Sequence, residues 1–152
     1  MRLSSFSRTC LATMGLALAA CGGSEKKPEE LQPKDCNMET GVTQLADGFT
    51  GSLKYTVTYE VTGSGEGTIT KIYYYDGPST PKVVENPTLP WTKTVSLYSD
   101  QNVGIAMEGS VTNGHFEVKY SGEGKSLSGG SSTSVKVSKN NVCEQLQSTT
   151  VN

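Results

Sequence analysis

The only histidine, His115, decides which catalytic chemistry this sequence can support. Nucleophilic catalysis by serine or cysteine usually needs an adjacent general base, so a Ser-His or Cys-His arrangement must include His115. This residue directly follows Asn113-Gly114, a dipeptide typical of tight hairpin turns, where polar residues face solvent. We therefore interpret His115 as a surface residue and expect no enzyme, although carboxylates on distant strands could still meet as a glycosidase-like pair.

Two further patterns raise the question of a cofactor or a metal. Gly122–Ser126 resembles the end of a phosphate-binding loop, but the full motif needs a glycine at the position held by Lys119. That segment is better interpreted as a solvated hairpin end. Two cysteines and one histidine of the mature domain fall short of a four-ligand zinc site. The sequence therefore predicts neither a cofactor nor a metal.

The first twenty residues have the composition of a secretory signal. Arg2 and Arg8 precede a mostly apolar stretch, which is too short to span a bilayer and stops before the polar residues that begin at Ser24. Leu18-Ala19-Ala20-Cys21 resembles the bacterial lipobox, in which the cysteine is diacylated and becomes the mature N-terminus. We predict a signal peptide over residues 1–20 and a lipid anchor at Cys21, because two acyl chains give stable membrane attachment. The alternative is an ordinary signal peptide with an incidental cysteine.

Residues 21–35 are interpreted as a disordered tether. They are polar and charged, are interrupted by Pro28 and Pro33, and contain Leu31 as almost their only large apolar residue. A segment of this length could hold the domain up to roughly 45 Å from the lipid surface. The mature chain has 11 lysines against 15 acidic residues, a net charge of −4, and the lysines are scattered. We therefore exclude nucleic acid as a partner, since its binding relies on clustered basic residues.

Cys36 and Cys143 remain once the signal and the lipid anchor have taken the other two cysteines. In an oxidising compartment they are expected to form a disulfide, which would close the two ends of a domain over residues 36–143. Two free thiols are the alternative. A short polar tail, residues 144–152, follows.

Residues 36–143 show the alternation and turn chemistry of an all-β domain. In Leu53–Thr62, Leu53 and the following odd-numbered residues are apolar, and the even-numbered residues between them are polar. Turn signals at Gly63–Gly67 and Asn113-Gly114 separate about seven predicted strands. This size and strand count indicate an immunoglobulin-like antiparallel β-sandwich, with a small β-barrel as the alternative.

Seven tyrosines could stack on a sugar or another flat ligand, although sheets also use tyrosines as core and cross-strand aromatics. The triple Tyr73-Tyr74-Tyr75 places aromatic area on both faces of its strand. Of these we expect Tyr74 to be exposed and to be the candidate ligand contact.

Three motifs occur in order and spacing similar to a known family. They are Val57–Gly63, Ile72-Tyr73-Tyr74 with Asp76, and Leu89-Pro90-Trp91 followed by Val95. Together, over roughly Tyr55–Cys143, they resemble the MmpS family, small membrane proteins of mycobacteria that accompany RND-type lipid and siderophore exporters. The resemblance implies a β-sandwich outside the cytoplasmic membrane that supports a transporter and has no catalytic residues.

This chain departs from that family in its anchor and in one cysteine. MmpS proteins are typically held by an N-terminal transmembrane helix, where this chain has a lipobox. They also tend to carry a cysteine where His115-Phe116 stands, so Cys36 would replace it as the partner of Cys143. We expect a non-catalytic accessory lipoprotein that contacts an envelope or transporter protein, with a lipid, siderophore or glycan-binding module as the alternative. Gly22 after the acylated cysteine favours the outer membrane facing the periplasm, if the cell has two membranes.

Overall fold

Alternating apolar and polar residues build the first long strand of the protein. The computed structural model describes residues 30–46, 53–128 and 131–147, with the backbone alone at 126–128 and 131–133. Tyr55, Val57, Tyr59 and Val61 are fully buried, and the polar residues between them lie on the opposite face. The predicted core face of this strand is confirmed. The signal peptide, Cys21 and most of the predicted tether lie outside the described residues.

The described residues form nine strands and no helix. In chain order they are β1 (Lys34–Asp35), β2 (Met38–Glu39), β3 (Thr43–Gln44), β4 (Lys54–Tyr75), β5 (Pro81–Glu85), β6 (Trp91–Tyr98), β7 (Asn102–Val103), β8 (Ile105–Ser128) and β9 (Ser131–Gln145). Seven of them form one antiparallel sheet, while β3 and β7 form a separate two-stranded sheet.

The two long strands β4 and β8 run antiparallel to each other from Lys54 opposite Lys125 to Tyr74 opposite Ile105. The N-terminal part of β4 also pairs with β6, and the C-terminal part of β8 with β9. We call these four segments the first half-sheet. The C-terminal part of β4 pairs with β5, and the N-terminal part of β8 with β1 and β2. These segments form the second half-sheet.

The two half-sheets pack against each other through their inner faces. Tyr59 of the first half-sheet and Tyr74 of the second have ring centroids 5.6 Å apart. The Tyr74 ring also lies 5.3 Å from that of Trp91, on β6 of the first half-sheet. One curled sheet therefore supplies both layers of the core, and the predicted all-β sandwich is confirmed.

Both long strands pass from the first half-sheet to the second where the sequence predicted turns. Gly63–Gly67 and Asn113-Gly114 do not reverse the chain; they lie inside β4 and β8, and Gly65 pairs with Gly114. The two glycines have φ of 88° and 141°. A Cβ on Gly65 would collide with the Asn113 carbonyl oxygen, and one on Gly114 would collide with that of Ser64. The predicted turns are wrong because the glycines instead allow two continuous strands to bend in close contact.

A second irregularity changes which side chains face the core. Between Ile69 and Lys71 the pairing of β4 with β8 shifts by one residue, so Thr70 is an extra residue of β4. Because side chains alternate with a period of two, one extra residue moves the core face from odd to even positions. Ile72 and Tyr74 are accordingly buried beyond the bulge.

The glycine-rich segment Gly122–Ser126 belongs to the last part of β8, which forms a hairpin with β9 that closes with Ser128 opposite Ser131, slightly beyond the predicted hairpin end. Gly124 pairs with Tyr55, and a Cβ there would come within 2.6 Å of the tyrosine ring. Gly122 is opposite Val57, whose methyl group a Cβ would approach to 2.9 Å. These glycines make room for large core side chains on β4.

The predicted disulfide between Cys36 and Cys143 is confirmed, with Cα atoms 5.7 Å apart. Cys36 lies between β1 and β2 of the second half-sheet, whereas Cys143 is on β9 of the first. The bond therefore closes one side of the sandwich. Side-chain hydrogen bonds reinforce it: Asn141 Nδ2 donates to the Glu39 carbonyl at 3.0 Å, and Lys139 Nζ donates to Thr43 Oγ1 at 2.8 Å.

Candidate binding surface

His115 lies on β8 next to Gly114 and is exposed, as predicted. His115 is paired with Ser64 on β4, whose Oγ is 3.0 Å from His115 Nδ1. Glu144 is its register neighbour on β9, but no carboxylate among the described residues is hydrogen-bonded to the ring. The arrangement is a solvent-exposed Ser-His pair without a third group to orient the imidazole, which is the element that a triad needs.

Acidic side chains and the histidine do not converge elsewhere in the described part of the chain. Across residues 30–46, 53–128 and 131–147, no group of three His, Cys, Asp or Glu side chains could hold a metal ion. Glu60 and Glu123 instead take part in surface ion pairs, with Lys119 at 3.1 Å and Lys125 at 3.6 Å.

The exposure of Tyr74 was predicted wrongly. Its side chain is only 8% exposed and lies between Tyr59 and Trp91 in the core. The bulge at Thr70 is the reason, because it turns even-numbered residues of β4 inward. Tyr73 and Tyr75 therefore share the outer face of the second half-sheet.

Tyr73 belongs to a row of side chains across the outer face of the second half-sheet. Glu39 on β2 pairs with Ala106 on β8, Ala106 pairs with Tyr73 on β4, and Tyr73 pairs with Val83 on β5. The methyl group of Ala106 thus lies between a carboxylate and an aromatic ring. A small residue between two larger ones leaves a depression along β8.

Two adjoining depressions meet at this row, and we call them together the outer groove. One has a volume of about 180 Å³ and extends toward Tyr75, Pro81 and the Gly41-Val42 turn. The other, of about 310 Å³, extends toward Asn37 and Glu108. Both are lined by Glu39, Tyr73 and Ala106. The Gly41-Val42 turn packs closely on Gly104, whose hypothetical Cβ would lie 3.0 Å from the Gly41 carbonyl oxygen.

A hydrogen bond fixes the orientation of the aromatic wall. The Tyr73 hydroxyl donates to Glu108 Oε1 at 2.7 Å. This hydrogen bond to the carboxylate raises the pKa of Tyr73, because loss of the phenol proton would leave two facing anions. Tyr73 is therefore a fixed neutral phenol at physiological pH, and its ring forms one side of the outer groove.

The sequence contained part of the signal for this site. In a strand, residues two apart share a face, so Tyr73 and Tyr75 had to lie together on the side opposite Tyr74. Which side faced solvent depended on the bulge, and nothing local marks Thr70 as the extra residue. Glu39 and Ala106 line the outer groove together only because β2 pairs with β8, and this pairing joins distant parts of the chain.

These features define a disulfide-closed, all-β domain with an aromatic groove on one outer face. By comparison with family models, the chain belongs to the Mycobacterium membrane protein family, whose model matches residues 34–112. This match covers just over half of the chain and confirms the MmpS resemblance. It begins earlier and ends earlier than the motifs suggested, and it includes all residues that line the outer groove. No curated protein and no solved structure matches the chain.

Family membership associates the chain with a membrane. In the described residues, no helix has the length and apolar character needed to cross a bilayer. Residues 1–29, which contain the predicted anchor, lie outside that range.

Proposed function

We propose that this protein is a lipid-anchored envelope lipoprotein that acts as a non-catalytic accessory module and supports an export transporter. The observation that carries the proposal is membership of the Mycobacterium membrane protein family over residues 34–112. The resemblance to the MmpS family implies a role beside exporters without catalysis. Through its membership of the family, we extend that role to this chain.

The mode of attachment is supported by the sequence before the domain. Leu18-Ala19-Ala20-Cys21 provides an acylation site, and the following polar residues provide a tether. β1 begins at Lys34, only 13 positions after Cys21. The anchor would therefore replace the transmembrane helix typical of the family and hold the domain within reach of a membrane-embedded partner.

The anchor is tested by the intact mass of the protein purified from its membrane fraction. We expect a chain that starts at diacylated Cys21, and a Cys21→Ser variant that loses the lipid mass and leaves the membrane pellet. The Cys36→Ser variant serves as the control, since it removes a cysteine but should retain the lipid. An unacylated wild-type chain in the soluble fraction would contradict the proposed attachment.

The accessory role is tested by mild crosslinking of the full lipoprotein in membranes of its own cell, followed by mass spectrometry. We expect a transporter subunit to be enriched over a control in which the anchor is kept and the domain is replaced by an unrelated one. Equal recovery from both would contradict the accessory role and leave the anchor standing.

A further inference from the structure

We infer that the outer groove docks an extended segment of a partner protein that carries a basic side chain next to an apolar one. This inference deepens the proposed accessory function and rests on it. It assigns the contact to the second half-sheet and defines the partner by charge and shape.

The shape of the groove suits a chain segment in extended conformation. The Ala106 methyl group lies at the centre, with Glu39 one strand away on one side and Tyr73 one strand away on the other. Neighbouring strands are about 4.8 Å apart, so the two walls stand roughly 10 Å apart, which is enough for one extended chain or one long side chain.

The lining is more apolar than polar in the depression of about 180 Å³. Tyr75 and Pro81 are paired across β4 and β5 at its end, and Ile105 and Val42 complete it. Val42 is 56% exposed and Val83, at the end of the central row, is 50% exposed. Exposed apolar side chains grouped around a concavity, with a polar rim, mark interaction sites.

The charge of this face selects the partner. Glu39 on β2, Glu108 on β8 and Glu85 on β5 all lie on it, whereas Lys71 is the only cation among the paired residues of these rows. Glu39 and Glu108 form no ion pair among the described residues. The phenol of Tyr73 occupies only one oxygen of Glu108. Two carboxylates beside an aromatic ring favour a guanidinium or ammonium group, which can contact both the charge and the ring face.

The outer face of the first half-sheet provides the contrast. On that face Glu60 pairs with Lys119, Glu123 pairs with Lys125, and Glu117 accepts a hydrogen bond from Asn140 at 3.1 Å. The rest of that face is mainly threonine and serine on β4 and β6. The second half-sheet therefore differs in having two carboxylates without an ion pair in the described part of the chain, Glu39 and Glu108, beside an apolar groove, with Lys71 in register between Glu108 and Glu85.

The preorganisation of the groove supports binding without large rearrangement. Tyr73 is held by Glu108, and the backbone of Glu39 is held by Asn141 on β9. A partner thus meets an aromatic wall and a strand backbone that are already fixed, which lowers the entropic cost of docking. An anionic bilayer does not fit this surface, because its headgroups would face the carboxylates.

The test uses the full chain in a neutral detergent and nuclear magnetic resonance titration with blocked pentapeptides Ala-Val-X-Leu-Ala, where X is Arg, Gln or Glu. We expect the Arg peptide to shift the resonances of Tyr73 and Ala106 and to bind about ten-fold more tightly than the Glu peptide. Glu39→Gln should weaken the Arg peptide by about two- to five-fold, since the lost contact is a surface ion pair. Glu117→Gln, on the other outer face, should leave it unchanged.

Ala106→Phe fills the groove and should abolish binding of the Arg peptide. If Ala106→Phe misfolds, Glu39→Gln still tests the inference, because it changes an exposed side chain. Equal binding of the Arg and Glu peptides, or no shift with the Arg peptide, would overturn the inference. So would shifts of Tyr73 caused by a neutral oligosaccharide such as maltohexaose or by phosphatidylglycerol vesicles in place of the Arg peptide. A transporter crosslink that survives in a folded Ala106→Phe variant would overturn the groove assignment and keep the accessory function. Absence of that crosslink in the wild-type protein would contradict the accessory function itself.

Discussion

Cys36 and Cys143 are 107 positions apart in the chain, yet their Cα atoms lie 5.7 Å apart and their sulfurs are bonded. The bond joins the segment that leads to the predicted tether with the last strand of the domain. Lys34 Nζ and Gln145 Nε2 add hydrogen bonds of 3.1 and 2.9 Å between the same two parts of the chain. The N-terminal segment, where the predicted tether would pull, is thus fastened to β9.

Reduction of this disulfide should lower the free energy of unfolding by about 2–5 kcal/mol, because it releases a long loop in the unfolded chain. We expect the Cys36→Ala/Cys143→Ala double variant to show the same loss and no further response to reductant. Urea denaturation with and without tris(carboxyethyl)phosphine measures both. Equal stability of the oxidised and reduced wild-type chains would contradict this prediction.

Gly65→Ala should destabilise the fold by about 2–4 kcal/mol, through an unfavourable φ and a collision with a backbone carbonyl. Gly41 is a matched control: its φ of 73° is similar to the 88° of Gly65, but a Cβ there meets nothing within 4 Å. Gly41→Ala should therefore cost only about 1 kcal/mol, from backbone strain alone. Melting temperatures of the two variants give the comparison, and equal losses would show that close contact at the bend is unimportant.

Tyr59→Phe should leave stability unchanged or raise it by up to about 1 kcal/mol, because the buried Tyr59 hydroxyl makes no well-formed hydrogen bond among the described residues, although the backbone N–H groups of Gly104 and Tyr75 lie near enough to lower its pKa. The equally buried Tyr55 is the control, since its hydroxyl donates to the Ala46 carbonyl at 3.0 Å. Tyr55→Phe should cost about 1 kcal/mol. Denaturation of both variants tests the difference, and a larger loss in Tyr59→Phe would reveal a partner for that hydroxyl.

Stability should fall at alkaline pH. Burial raises the pKa of Tyr59 and of Tyr120 above the value of about 10 for an unfolded tyrosine. The folded chain thus retains these protons more tightly, so their contribution is fully present below about pH 10 and is lost as the pH rises further. Denaturation at a series of pH values between 8 and about 12 should show the decline.

The Tyr59→Phe variant is the control for this alkaline decline, because it lacks the more deeply buried of the two phenols. Its stability should fall less steeply above about pH 10 than that of wild type. Parallel curves for the two proteins would assign the decline to other groups.

Much of the fold could be predicted from local pattern, since alternation reflects a direct physical demand. Leu53–Thr62 presents apolar groups every second residue, and in a strand this spacing can serve only a one-sided core. The disulfide could also be predicted from the sequence, because Cys36 and Cys143 were the two cysteines left in the domain. The family resemblance came from motifs on β4 and at the start of β6, and the family match includes both.

Glycine was the point at which the sequence remained ambiguous. A residue without a side chain suits both a reversing turn and a close approach of two strands. At Gly65 and Gly114 the choice was made by pairing between residues about fifty positions apart, so the expected hairpins became one bend in continuous strands. The glycines opposite Tyr55 and Val57 lie in a strand for a similar reason, because the large core side chains across the sheet leave no room for a Cβ there.

The sequence by itself determined an all-β domain, its main core face and its one cysteine pair, because alternation and composition act locally or by count. Tertiary structure alone decided that Tyr74 is buried while Tyr73 and Tyr75 face outward, since one extra residue at Thr70 reverses the face of the strand beyond it. It also placed Glu39 beside Ala106 and Tyr73, which requires β2 near the start of the domain to pair with the distant strand β8. The groove exists because distant strands meet in one register, and that register depends on the whole sheet.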